Sequence, residues 1–312
     1  MISVVVPVFN KSKTVIRCLE SIIKQSYQPK EIIIVNDGSS DNSYDLIQSW
    51  VQSLKIKISI KLISHENKGV AYSRNLGINK SICDYVALID ADDFWDNHFL
   101  LSMKKVIDKF PNVALATCKH EIEDPEIGKF TPKQFFGFES LGVFNNYPQL
   151  ARKYPIVNSS KVVLNKKFVN ILGGFPNGVK VSEDIFLWIR LSQLAPFGYC
   201  DKTLVTIYQE RDKSRNSRKG EIPYPILYFS QPNERIKLTK DLKKFLWSVH
   251  KKHVLGSCHQ NKHEALKRIL AGIKLFKFKG SFLLLLMLPP KTFYRKLRTL
   301  RRHRQVLSNE IK

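Results

Sequence analysis

The sequence predicts an α/β protein built on a largely parallel sheet and followed by a helical, basic C-terminal region. Short apolar runs alternate with amphipathic stretches over the first 120 residues, the pattern of successive βα units. Polar, turn-forming residues close four consecutive apolar runs, as at the ligand-binding rim of an open α/β sheet. From residue 221 onward the periodicity becomes helical and the charge strongly positive.

The elements follow in chain order. Apolar runs predict strands over 2–8, 31–36, 58–64, 85–90 and 113–118, and between them 3.6-residue periodicity predicts helices over 13–26, 44–54, 70–80 and 97–110. Residues 121–155 are rich in Gly, Pro, Phe and Asn and show little periodicity, so a long excursion over the sheet is expected, of the kind that often carries function. A helix is expected over 183–194, where Ile185, Trp188, Ile189 and Ser192 share a face, and a strand over 197–208. The polar run RDKSRNSRKG, residues 211–220, marks a domain boundary, dividing a catalytic unit over 1–215 from a basic helical region over 216–312.

Composition narrows the class. At 312 residues and 43% hydrophobic content the chain buries real cores and is not globally disordered. It opens on a core strand without the basic lead or cleavage site of a signal peptide, and its five cysteines are scattered, odd in number and without a CxxC pair; both point to a reduced, cytoplasmic setting. The net charge of +24 is uneven, for residues 221–312 hold 21 Lys and Arg against 5 Asp and Glu, a surplus of 16. His259 and His263 stand at i, i+4 beside His250, His253 and Cys258, a spacing that suits either zinc or a polar helix face, and no second shell favours the metal.

The apolar run 282–288 would reach about 10 Å as a helix, against roughly 30 Å of bilayer hydrocarbon, and cannot span it. Followed by Lys291, Arg295, Lys296, Arg298, Arg301, Arg302 and Arg304, it suits a segment lying on an anionic membrane surface. Core packing and a nucleic-acid patch are the alternatives; no recognition module or interleaved aromatics support the second.

The rim holds Val8-Phe9-Asn10, Asn36-Asp37-Gly38-Ser39, Glu66-Asn67-Lys68-Gly69 and Asp90-Ala91-Asp92-Asp93. The first loop contains no glycine, so it has neither GxGxxG nor GxxxxGK[ST], and its amides cannot cradle a phosphate in those ways. A diphosphate there would need other neutralisation, and Asp90 and Asp92 could hold a hard divalent cation that also takes phosphate oxygens. A second acidic pair, Glu183-Asp184, opens the 183–194 helix; standing alone, such a pair reads as charge complementing the helix dipole.

The segments VVVPVFN, VNDGSSDNS, NKGVAYSRNLGI, LIDADD and SEDIFLWIRL resemble, in order and spacing, the family 2 glycosyltransferases of the GT-A fold, over about residues 1–215. The resemblance implies a Rossmann-like, mostly parallel sheet and an inverting, metal-dependent transfer from a nucleotide-diphospho-sugar, a UDP-sugar by preference, to an acceptor hydroxyl. It implies roles residue by residue. Asp37 would read the base, with Pro7 and Phe9 beside it. Arg74 would stand near base and phosphates, Asp90 and Ala91 near the ribose, and Asp92 on Mn²⁺ or Mg²⁺. Asp93 would assist the metal or cap the next helix. Asp184 would be the general base, with Glu183 orienting base or acceptor.

Gly173-Gly174-Phe175 resembles the family's turn toward the acceptor, and reads equally as a helix stop. Where many relatives carry a His after the last strand, this chain has Arg211, which could pair with the departing phosphate, with Ser214 a weaker candidate. Family habit and the basic tail imply a glycan or lipid-linked acceptor in cell-surface polysaccharide synthesis, at the inner face of the cell membrane. Two other classes compete: a nucleotide-binding protein associated with nucleic acid through its basic tail, and a non-catalytic membrane scaffold. Donor sugar, linkage and oligomeric state are not legible in these residues.

Overall fold

The computed structural model describes residues 1–55, 57–133, 135, 137–209, 221–258 and 262–276. Arg211, Ser214, His259 and the expected membrane segment of the tail lie outside these residues.

Strands β1 (Ile2–Val8), β2 (Glu31–Asp37), β3 (Ser59–His65) and β4 (Tyr85–Leu88) pair in parallel in the order β3-β2-β1-β4. Their crossovers are α1 (Val15–Ile23), α2 (Ser43–Ser53) and α3 (Val70–Lys80). Every residue of β1 and β2 is buried, which is why each centres on consecutive apolar residues, 4–8 and 32–35, rather than on alternation. Helix α3 lies close on β1: a Cβ at Gly77 would overlap Val5 Cγ1, so only glycine fits.

Past β4 and α4 (Phe99–Lys109) the simple βα series ends. β9 (Val162–Asn165) enters antiparallel between β4 and β6 (Leu115–Asp124), and β10 (Phe197–Tyr208) runs parallel to β6. β5 (Phe94–Trp95) and β8 (Leu141–Phe144) pair antiparallel with β10, and β7 (Gly128–Phe130) with β6. The parallel half matches the expected sheet. The excursion expected over 121–155 is corrected, because its residues extend β6 and supply β7, β8 and α5 (Tyr147–Ala151). Strands of three or four residues paired with distant partners are too short to show a period of two in sequence.

The remaining helices are α6 (Lys166–Leu172), α7 (Glu183–Leu194), α8 (Tyr224–Phe229), α9 (Pro232–Ile236), α10 (Lys240–Cys258) and α11 (Lys262–Phe276). Leu242, Phe245, Leu246 and Val249 of α10 share one apolar core with Trp188 of α7 and Phe197 of β10. The Phe245 ring stands 5.6 Å, edge to face, from Tyr147. Val254, Cys258, Ala265 and Ile269 join α10 to α11. The helices after residue 221 therefore share a core with the sheet.

This sharing has a measurable consequence. Phe245→Ala is expected to cost about 3–5 kcal/mol, the usual range for emptying a buried aromatic site, and to lower one melting transition common to the sheet and the helices. Separate melting of the helices with the sheet untouched would show that the cores are independent.

Gly173 ends α6 in a left-handed conformation, φ 76°, with its N–H donated to Asn170 O, so that turn is a helix stop. Among the described residues no helix is long and apolar enough to cross a membrane, and no group of three or more His, Cys, Asp or Glu gathers to hold a metal. His250 is packed between Trp247 and Phe276, ring centroids 6.2 and 5.4 Å away, where burial and the Arg268 charge push its pKa down to about 4. It is a core histidine.

Candidate active site

Four strand ends converge on a single cavity of about 990 Å³. The loops that form it are tied to one another. After β1, Asn10 accepts the Ser40 N–H at 2.8 Å through its side-chain oxygen, joining the first rim loop to the second. After β2, Asp37 accepts from the Lys68 N–H at 2.7 Å and from the Gly69 N–H, so its carboxylate sits at the start of α3. Gly38, at φ 67°, lies so close to the Asn67 N–H that a Cβ would collide with backbone, which explains the glycine of the NDGS turn.

The DADD turn leaves β4 at Leu88 and folds back, with the Asp93 N–H donated to Asp90 O at 3.0 Å. The backbone N–H of Asp90 donates to Ser160 Oγ, and Trp95 Nε1 donates to Ser160 O at 2.6 Å. Asp93 is buried and accepts the Tyr208 N–H at 2.8 Å, pinning the turn to the end of β10. Burial, reinforced by the charges of Asp92 and Asp90, holds its carboxyl well above the usual carboxylate range. Asp93 caps no helix, since the N-cap of α4 is His98. Asp92 is more open, and its Oδ2 lies 2.8 Å from Lys11 Nζ.

Across the cavity, α7 begins at Glu183-Asp184, directly after Ser182, whose φ of 63° turns the chain sharply into the helix. The two acidic motifs meet through Arg74. Its Nη2 lies 2.7 Å from Asp90 Oδ1 and its Nη1 3.2 Å from Glu183 Oε1, with the Phe175 ring centroid 5.4 Å from its guanidinium carbon. Burial disfavours the Arg74 cation, but Asp90 and Glu183 outweigh it and raise its pKa above the ordinary arginine value. Burial, then the Glu183 charge, push the Asp184 carboxyl up to about 6, against the opposing pull of Arg74. A carboxylate of that basicity beside open space is suited to taking a proton near neutral pH.

Pro7, Phe9, Asp37, Arg74, Asp90, Ala91, Asp92, Asp93, Glu183 and Asp184 all line this one cavity. Every sequence-predicted site residue that is described thus stands in one place.

Residues 3–167, more than half of the chain, match the family Glycosyl transferase family 2. The chain belongs to glycosyl transferase family 2. It is 30% identical over 203 residues to an uncharacterized glycosyltransferase of Rickettsia felis, 65% of this chain and 32% of that protein. It is 31% identical over 146 residues to glycosyltransferase GlyG of Streptococcus pneumoniae, 46% of this chain and 48% of that protein. The family 2 chain thus spans about a third to a half of these relatives' length. Among solved structures it is similar to S. aureus TarS 1–349 in complex with UDP-GlcNAc, at TM-score 0.69 and 19% identity, covering 86% of this chain and 79% of that one. That likeness shows the shared GT-A fold.

Among the residues lining the cavity that the sequence did not single out as such are Lys11, Lys180, His253 and Arg268. Lys11 follows a rim loop, but its pairing with Asp92 spans 81 positions and leaves no local trace. His253 belongs to the histidine cluster visible in sequence, and its Nε2 lies 3.3 Å from Ser182 Oγ, beside the Glu183-Asp184 pair.

Proposed function

We propose that this protein is an inverting glycosyltransferase that moves a sugar from a nucleotide-diphospho-sugar to an acceptor hydroxyl. The observation that carries the reading is the Arg74 bridge, which holds the DADD turn and the Glu183-Asp184 pair against one cavity although they lie about ninety positions apart in sequence. Asp184 accepts the acceptor's proton while its oxygen attacks the anomeric carbon and the bond to the diphosphate breaks. Glu183, held by Arg74, raises the basicity of Asp184 and fixes the opening turn of α7. Asp37 and Phe9 stand at the nucleoside end, with Asp90 and Ala91 between nucleoside and phosphates. A UDP-sugar is the favoured donor, by likeness to TarS, whose structures contain UDP-GlcNAc and UDP.

Mn²⁺ or Mg²⁺ fits this site. Asp92 and Asp90 offer two oxygen-bearing side chains to the cavity, leaving further positions for phosphate oxygens and water, as such cations prefer. Lys11, 2.8 Å from Asp92 Oδ2, would share that carboxylate with the cation. When bound, the cation would offset the charge that develops on the departing diphosphate. Arg211 is proposed to reach the same phosphates. The basic tail supports a lipid-linked glycan acceptor of cell-surface polysaccharide synthesis, with the region 216–312 resting on an anionic membrane surface.

The test is a nucleotide-sugar panel scored by diphosphate release with Mn²⁺, with Mg²⁺ and with chelator. Chelator and Asp92→Ala are each expected to lower release by about 10²–10³-fold, the scale of losing one principal electrostatic stabiliser. Release indifferent to both would overturn the metal-assisted reading.

A further inference from the structure

The cavity extends past the Glu183-Asp184 pair to residues of the C-terminal helices that the proposed transfer step does not use. Ser182, His253 of α10 and Arg268 of α11 follow one another along this side, joined by Ser182 Oγ to His253 Nε2 at 3.3 Å and by Arg268 Nη1 to His253 O at 3.1 Å. Lys180 lines the same side.

Arg268 is 7% exposed and its hydrogen bonds are asymmetric. Nε donates to Glu221 O at 2.8 Å, and Nη1 donates to His253 O and to Ser257 Oγ. A guanidinium carries five N–H donors in a planar fork. Three are used, and the pair on Nη2 has no acceptor among the described residues. The acceptors are carbonyls and a hydroxyl, so none of them neutralises the cation. Glu264 and Glu221 act on it through their fields, yet neither forms a salt bridge with it among the described residues. Burying a guanidinium with neutral partners is costly, and an incoming oxyanion would supply what is missing.

Lys180 adds a second positive charge. It lies 3.6 Å from Glu221, but both side chains are largely exposed, at 64% and 46%, so the pair is weak and the ammonium can turn to another anion. His253, its pKa pushed down to about 4 by burial and the Arg268 charge, is neutral at working pH and does not compete for that anion.

We propose that Arg268 and Lys180 form a seat for an oxyanion carried by the acceptor, a phosphate or a sugar carboxylate, which places the accepting hydroxyl near Asp184; this rests on the glycosyl-transfer reading above. Two observations assign the seat to the acceptor rather than the donor. The donor's charge-handling groups, Lys11 and Asp92, follow β1 and β4, whereas Arg268 and Lys180 stand on the far side of Ser182 and belong to no rim loop. The cavity, at about 990 Å³, is also at the upper end of the roughly 300–1,000 Å³ typical of sites for one small ligand.

The experiment titrates glycerol 1-phosphate, glucuronate and neutral glucose into the full chain, with and without saturating UDP, by isothermal calorimetry. One or both anions are expected to bind alongside UDP, with glucose silent. Arg268→Gln should weaken the anion by about tenfold or more and Lys180→Ala by about two- to threefold, as expected for losing a buried and an exposed charge contact respectively. The UDP affinity of both variants should be unchanged. Which anion binds identifies the source as phosphate or sugar acid. Anion binding indifferent to both substitutions, or abolished by UDP, would overturn the seat. If Arg268→Gln loses its cooperative melt, Arg268→Lys and the exposed Lys180→Ala decide. Absence of UDP binding to the unsubstituted protein would count against the glycosyl-transfer reading, while the titration without UDP would still report on the seat.

Discussion

Replacing Asp184 by Asn is expected to lower sugar transfer by about 10²–10⁴-fold, the usual worth of a positioned general base, while UDP affinity stays within about twofold. The amide keeps the shape of the side chain and its bond from the Ile185 N–H, but cannot take the acceptor's proton. The pH profile follows from the same group. With the Asp184 carboxyl pushed up to about 6, transfer should rise as pH climbs through 6 and then level off. The stability effect has the opposite sense. A folded pKa above the ordinary 3.8 means that the folded state holds this proton more tightly than the unfolded chain does. Its favourable contribution is complete below about pH 4 and is lost as pH rises through 6. The Asn variant should therefore melt higher than the parent at pH 8, with the difference closing toward pH 4. A fully active Asn variant, or a pH profile flat between 5 and 7, would remove Asp184 from the base role.

Arg74→Met is expected to destabilise the fold by about 3–5 kcal/mol, the cost of leaving a buried charge without its partner. Arg74 and Glu183 have side chains only 5% and 9% exposed, so neither charge can recover its hydration when the other is removed. Asp90, at 36%, can turn toward water and adds less. Urea unfolding should show a lower midpoint at unchanged slope. The double variant Arg74→Met with Glu183→Gln should recover much of the loss, because removing both charges is far less costly than stranding one. Arg74→Lys is not expected to rescue, since one ammonium cannot reproduce a fork that reaches Asp90 and Glu183 from separate nitrogens. A loss below about 1 kcal/mol for Arg74→Met would place the bridge among weak surface pairs and withdraw the main support for joining the two acidic motifs in one site.

The bridge also separates what could be read locally from what could not. The DADD turn and the Glu183-Asp184 pair are visible as residue patterns, and Arg74 is visible as part of NKGVAYSRN, but their meeting is not. The Arg74–Glu183 contact spans 109 positions, and no local propensity encodes it. The same holds for Asp93. Its place as a helix cap is taken by His98, and nothing local shows that it receives the Tyr208 N–H from a strand 115 positions away. His253 is visible as one of a histidine cluster on a helix, but that it faces Ser182 from another element is not.

The sequence by itself determined the elements whose signal is local and long. α3, α7, β1 and β10 begin and end where periodicity and burial place them, because seven to twelve residues are enough to average out single-residue exceptions. It also determined the rim, because turn residues after consecutive parallel strands must fall on one edge of the sheet. Only the tertiary structure decided the insertion of β9 between β4 and β6, the sharing of one core by α10 with the sheet, and the entry of His253 and Arg268 into the cavity. Each of these is a contact between distant segments, chosen by what remains to be buried or neutralised once the local elements exist. That choice is settled by the whole chain packing at once, so no single stretch of it carries the information.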